Sequence, residues 1–271
     1  MKIKYYGTAA AEGFPGMFCE CATCKRAKES GGRNIRTRSQ SAIDDTLLID
    51  ICPDTYLHVI NHGLDLTKIK SVIITHSHFD HFDKSVLACI GPGMAERAAD
   101  PLEVYAGESA YHSVVSLGSD RILPHLVRPY KTFMTQGYSV TPLPAMHSPL
   151  TDPFNYIISK DGKKMLYGHD TGIYTDEIYD FIKSQDITFD LVSLDCTYGS
   201  KPKELCDHHM NFSALTSVVN RLREIGAADK KTVIVANHFS HFCENTYDEL
   251  VEMTKDTDAV VSFDGMEIEI V

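Results

Sequence analysis

The sequence predicts one α/β domain in which strands and helices interleave, and three observations predict it. Apolar runs of strand length recur between turn residues, and helical patterns fill the stretches between them. No Pro/Gly/Ser-rich linker, charge block or internal repeat divides the 271 residues. Size agrees, because α/β architectures often use about 250 residues as one unit.

Taken in order, residues 3–6 read as a strand closed by Gly7, and a loop of small residues leads to Cys19, Cys21 and Cys24 and a long irregular segment. Further strands are predicted over 46–51, 71–75, 102–106, 155–159, 164–167, 191–194, 232–236, 259–263 and 266–270. Asp161-Gly162 and Asp264-Gly265 lie between such runs as hairpin signals, so part of the sheet is antiparallel. Helices are expected over 54–62, 108–117, 176–184, 212–225 and 247–255. Asn211 or Ser213 would cap the fourth of these and Gly226 would close it.

Composition narrows the function. With 26 basic and 37 acidic side chains the formal net charge is −11, which disfavours a broad footprint for nucleic acid or an anionic membrane. No apolar run approaches the ~18 residues of a membrane span, and the N-terminus lacks a signal-peptide core, so a cytoplasmic location is expected. Eight cysteines in a reducing compartment are poor disulfide candidates, and Cys19, Cys21 and Cys24 stand too close together for a framework, which makes metal binding their leading reading. Serine-hydrolase, Walker and complete dinucleotide-binding motifs are absent.

The chemistry concentrates where strands end. His76-Ser77-His78-Phe79-Asp80-His81 follows the run SVIIT, at the edge where α/β sheets build their sites. His76, His78 and Asp80 alternate onto one side of an extended loop while His81 faces elsewhere, so the group would divide between two neighbouring ions. His147 after a proline-rich strand end, Asp170 after MLYG and His238 after TVIVAN occupy comparable places. Seven such ligands suit two divalent ions about 3.5–4 Å apart with one bridging hydroxide.

The His-x-His-x-Asp-His pattern at 76–81 resembles the signature of the metallo-β-lactamase fold superfamily. The Cys-x-Cys-x2-Cys cluster, Asp170-Thr171, Asp207-His208-His209, His238-Phe239-Ser240-His241 and the terminal FDGMEI further resemble its phosphoribosyl cyclic phosphodiesterase branch, known from phosphonate breakdown. That resemblance covers nearly the whole chain and implies a four-layer αββα sandwich. It implies His76, His78 and His147 on one ion, Asp80, His81 and His238 on the other, and Asp170 bridging, with zinc or manganese as the metal. It also implies an active-site role for His209 outside the metal shell, and the expected mechanism has His209 protonate the departing oxygen. A structural zinc is implied in a loop at about 14–38, held by Cys19, Cys21, Cys24 and His241. Three thiolates in six residues plus a distant imidazole suit a closed tetrahedral site, and Cys243 is the alternative fourth ligand.

The expected function is hydrolysis of a small cyclic phosphodiester, a phosphoribosyl 1,2-cyclic phosphate by resemblance, with the catalytic roles on Asp80 and His209. The expected partner is that small anionic substrate, with neither membrane nor nucleic acid, and a homodimer stays open. A lactone or thioester hydrolase, a non-catalytic relative of quinone-cofactor biosynthesis proteins and a transfer-RNA processing nuclease are the alternatives, the last disfavoured by the acidic balance. His169 and His208 adjoin site residues and read equally as supporting or structural. Asp195 reads as orienting a metal-bound histidine or capping a turn. Arg33, Arg36 and Arg38 read as a solvated face, or as reaching an anionic substrate. Cys52, Cys89, Cys196 and Cys206 read as small buried hydrophobes.

Overall fold

In the computed structural model, which describes residues 1–91, 93–96, 101–202, 207–255 and 257–270, the alternation of side chains along each strand sends its apolar residues to two different cores. The strands are β1 (Lys2–Gly7), β2 (Gln40–Ile43), β3 (Leu47–Ile49), β4 (Ser71–Ile73), β5 (Leu102–Ala106), β6 (Ile122–Leu126), β7 (Phe133–Thr135), β8 (Tyr138–Pro144), β9 (Phe154–Lys160), β10 (Lys163–Gly168), β11 (Leu191–Asp195), β12 (Val233–Asn237), β13 (Ala259–Val261) and β14 (Met266–Glu269). The helices are α1 (Ala22–Ser30), α2 (Thr55–His62), α3 (Lys84–Ala88), α4 (Glu108–Val115), α5 (Asp176–Ser184), α6 (Phe212–Glu224) and α7 (Tyr247–Met253). Two seven-stranded sheets result, ordered β14-β1-β2-β3-β4-β5-β6 and β13-β12-β11-β10-β9-β8-β7. Each is antiparallel over half its width and parallel over the other, from β3 to β6 and from β10 to β13.

Between the sheets lie Ile3, Tyr5, Ile49, Ile73, Tyr156, Met165, Tyr167 and Val235. The neighbours of these residues along the same strands point outward. Leu48, Val72 and Val104 pack with Leu87 and Val114 of α3 and α4, while Leu166, Val192 and Ile234 pack with Ile182, Val218 and Leu222 of α5 and α6. Helices therefore cover both outer faces, which makes the four-layer αββα sandwich. None of the described helices is long and apolar enough to cross a membrane.

Tyrosine fills the inner core of this tryptophan-free chain and brings a hydroxyl that must be satisfied. Tyr5 donates to Ser193 Oγ at 3.0 Å, Tyr156 to the carbonyl of Ile74 at 2.7 Å and Tyr138 to that of Ile43 at 3.3 Å. Each bond joins one sheet to the other, and the Tyr156 bond fixes the chain two residues before His76.

Several elements differ from the sequence reading. Asp161-Gly162 does turn β9 into β10, with Lys160 opposite Lys163. Asp264-Gly265 is no hairpin: β13 closes one sheet and β14 lies beside β1 in the other, so this turn crosses the sandwich. Strand β2 is illegible because Gln40 and Ser41 are polar, yet Gln40 is buried with its amide bonded to the Asp50 carbonyl and Thr55 Oγ1, both at 3.0 Å. Strand β6 contains Pro124, which an edge strand tolerates. Asn211 caps α6, its Oδ1 accepting from Ala214 N at 2.8 Å. Cys89 is exposed rather than buried, and Cys206 lies outside the described residues.

Candidate active site

Parallel strand direction brings one end of both sheets to a common edge, and each of the seven residues predicted for the paired ions follows a strand there. His76 to His81 follow β4, His147 follows β8, Asp170 follows β10 and His238 follows β12. The 76–81 loop is closed by the amides of His81 and Phe82 donating to the carbonyl of His78, and the Ile51 amide donates to the carbonyl of His81 at 2.9 Å. Asp50, Asp170 and His238 hold positive φ values of 65°, 56° and 65°. Such left-handed backbone in non-glycine residues costs free energy and clusters at functional sites.

The side chains converge as two overlapping groups. His76, His78, His147 and Asp170 form one, and Asp80, His81, Asp170 and His238 the other, while Asp170, Asp195, His209 and His238 also gather beside them, each set with its donor atoms within 4.8 Å of one another. In the first, Nδ1 of His78 lies 2.9 Å from Nε2 of His76 and 3.1 Å from Nε2 of His147. In the second, Nε2 of His81 lies 3.3 Å from Nε2 of His238 and 2.9 Å from Oδ2 of Asp170. Tetrahedral metal–nitrogen bonds of about 2.0–2.1 Å place nitrogens about 3.3 Å apart, close to these separations.

Charge gives an independent test of fit. Asp50, Asp80, Asp170 and Asp195 are all buried, and no Lys or Arg pairs with them among the described residues. Four buried carboxylates whose ion-pair partners are histidines alone favour further positive charge, so the donor set suits cations. Asp170 belongs to both groups, its Oδ2 lying 3.2 Å from Nε2 of His76 and 2.9 Å from Nε2 of His81, while its buried Oδ1 faces Nδ1 of His209 at 3.0 Å. Burial pushes His147 down to about 4 and lowers His76 as well, while His81 and His238, though buried, are raised by the carboxylates beside them.

Around these groups stand residues that orient them. Asp50 Oδ2 lies 2.7 Å from Nδ1 of His81, and the His208 carbonyl lies 3.3 Å from Nδ1 of His147. His208 thus contributes through its backbone. His169 instead bonds Ser193 and Asn237 in the core and is structural. Asp195 holds a turn, Oδ1 accepting from the amides of Thr197 and Met210 at 3.0 and 2.8 Å, while Oδ2 lies 3.2 Å from Nδ1 of His209 and 3.5 Å from Nδ1 of His238. Burial opposes protonation of His209, but Asp195 and Asp170, the latter 3.0 Å away, push its pKa up to about 11.

Asp50 was missed because it sits inside the run 46–51; its signal is that it ends β3 at the same sheet edge. Thr197, 2.9 Å from Nδ1 of His238, carries no sequence signal. Arg36 and Arg38 are buried structural groups rather than solvated or substrate-facing ones, Arg36 donating to Thr8 and the Ser262 carbonyl and Arg38 pairing with Asp54. Arg33 is the exposed one, stacked on Phe263.

The second site lies behind one wall. Cys19, Cys21, Cys24 and His241 gather with donor atoms within 4.8 Å, and Nδ1 of His241 is 3.5 Å from Sγ of Cys19 and 3.6 Å from Sγ of Cys21. Tetrahedral zinc with bonds of about 2.3 Å to sulfur and 2.0–2.1 Å to nitrogen sets sulfur and nitrogen about 3.6 Å apart. Cys21 caps α1, its Sγ accepting from the Cys24 amide, while Cys243 is buried elsewhere against Asn245.

The sequence profile described as Beta-lactamase superfamily domain matches residues 45–239. The chain belongs to the metallo-β-lactamase fold superfamily. Within it, the chain is 24% identical to coenzyme PQQ synthesis protein B of Acinetobacter baumannii, with 100% of both chains covered. Its fold is similar to that of a diphosphatase from the PhnP family, at TM-score 0.75 and 19% identity over 100% of this chain and 98% of the other. It is also similar to Zn2+-bound PqqB from Methylobacterium extorquens, at TM-score 0.74 and 19% identity over 99% and 100%. As in a superfamily of metal-dependent hydrolases, the clustered side chains open onto a cleft, here of about 280 Å3, lined by His78, Asp80, His147, Asp170 and His238 and also by His209.

Proposed function

We propose that this chain is a two-metal phosphodiesterase for a small cyclic phosphate on ribose. His76, His78, His147 and Asp170 would hold one ion, and Asp80, His81, His238 and Asp170 the other. When bound, the pair supplies Lewis-acid polarisation and a nucleophilic water at neutral pH. His209 carries the reading. Its Nδ1 is engaged by Asp195 and Asp170, which leaves Nε2 to serve the cleft. A protonated imidazole held there donates to the ribose oxygen as its bond to phosphorus breaks, so that water adds to phosphorus and the product is a phosphomonoester with a free hydroxyl. Hydrolysis of a thioester would use the same ions but expels a thiolate, which gives a carboxylate-held general acid less to do, whereas a lactone expels an alkoxide and is told apart by assay.

The whole-length likeness to coenzyme PQQ synthesis protein B supports a second reading, in which the site handles a quinone cofactor without hydrolysis. The two complete ligand groups and the cleft-lining His209 favour the enzyme. The test is to count metals by elemental analysis and then assay ribose cyclic phosphates, linear diesters and lactones. About three ions per chain and fastest turnover of a cyclic phosphate are expected. A fully metallated protein that prefers lactones, or hydrolyses none of the panel, overturns the reading.

A further inference from the structure

The wall of the cleft opposite the clustered ligands is built by a turn and a loop that the phosphodiesterase reading leaves without a role. The Gly13 amide donates to the carbonyl of Ala10 at 3.0 Å, closing a turn over Ala11 and Glu12, and the Ala10 amide donates to the carbonyl of Phe239 at 3.1 Å. This places Glu12 beside Ser240 and Phe242 in the same cleft as Asp80, Asp170 and His209. The Glu12 carboxylate has two neighbours among the described residues, and both lie at Oε1: the hydroxyl of Ser240 donates to it, and Nε2 of His241 stands 3.7 Å away. That second distance is too long for a hydrogen bond, so holding His241 does not account for the carboxylate. Oε2 makes no bond within the described chain, and a carboxylate can only accept.

No Lys or Arg lines the cleft among the described residues. A second phosphoryl group reaching this wall would be repelled by the Glu12 carboxylate, whereas a sugar hydroxyl would meet an acceptor. Resting on the phosphodiesterase reading, we propose that Glu12 is the specificity-determining residue of the cleft. It reads a hydroxyl on the sugar of a substrate that carries the cyclic phosphate as its sole phosphoryl group, in departure from the phosphoribosyl substrate that the resemblance implies, and it discriminates against a counterpart bearing a second phosphate.

The experiment compares wild type, Glu12→Ala and Glu12→Gln on ribose 1,2-cyclic phosphate, its 5-phosphorylated counterpart and bis(4-nitrophenyl) phosphate, which has no hydroxyl. Wild type is expected to prefer the singly phosphorylated sugar. Glu12→Ala should lower kcat/KM on it by about 10- to 100-fold, mainly through KM, while staying within about threefold on the nitrophenyl diester. Glu12→Gln, equal in size but uncharged, should narrow the preference over the 5-phosphorylated sugar. Metal content and melting temperature should match wild type in both variants. Equal losses on all three diesters, a wild-type preference for the doubly phosphorylated sugar, or loss of zinc from either variant overturns the role of Glu12 while leaving the enzyme a phosphodiesterase. Failure of metallated wild type to cleave any of the three diesters overturns the underlying reading and this inference with it.

Discussion

Asp50 and His81 meet at 2.7 Å in full burial, carboxylate Oδ2 against ring Nδ1, which turns the opposite nitrogen of His81 toward Asp80, Asp170 and His238. The other carboxylate oxygen accepts from the Thr75 amide at 2.7 Å, so one side chain sets both the ring and the strand exit that carries it. A histidine held in this way has a fixed tautomer and a more basic ligating nitrogen. Asp50→Asn should therefore weaken metal binding by about 10- to 100-fold with little change in helix and sheet content. Chelator competition would measure it, and unchanged affinity would show that Asp50 only braces the fold.

His209 and Asp195 should act as one unit. His209→Ala should retain its metals and lose on the order of 10²–10⁴ in turnover on a ribose cyclic phosphate, but much less on a nitrophenyl diester, whose leaving group needs no proton. Asp195→Asn should show a smaller loss with the same dependence on leaving group. Because both losses remove one function, the double variant should be no slower than His209→Ala alone. Multiplied losses would separate the two roles, and equal losses on both substrates would remove the general acid.

The cysteine cluster should support folding rather than chemistry. Cys21→Ser is expected to lose one zinc and melt at lower temperature while the remaining ions stay, since a closed thiolate site contributes its binding free energy to folding. Cys243→Ser should keep full zinc, because His241 rather than Cys243 faces the three thiols. Elemental analysis beside a thermal melt decides both, and zinc lost from Cys243→Ser would reverse the ligand assignment.

Tyr156→Phe tests the tyrosine stitching. The change removes a 2.7 Å bond to the Ile74 carbonyl between the sheets and leaves a buried acceptor unpaired. A loss of about 1–3 kcal/mol is expected in denaturant unfolding, with an unchanged m-value. A loss below about 0.5 kcal/mol would mean that water or a relaxed backbone satisfies Ile74.

The sequence by itself determined which strands end at the site and which ligand types leave them, because alternation, turn residues and the spacing of 76–81 are local signals. His76, His78, Asp80, His81, His147, Asp170 and His238 were all legible on that basis, and so were the three clustered cysteines. Only the tertiary structure decided what depends on contacts between distant segments. Asp50 reaches His81 across 31 positions, Arg36 reaches the Ser262 carbonyl across 226, and Glu12 reaches Ser240 across 228. The Asp264-Gly265 turn has hairpin chemistry, yet β14 pairs with β1, since a turn fixes the reversal of the chain and not which sheet receives it. Polar β2 became a central strand for the same reason: partners on other elements satisfied Gln40, and no pattern within four residues records them.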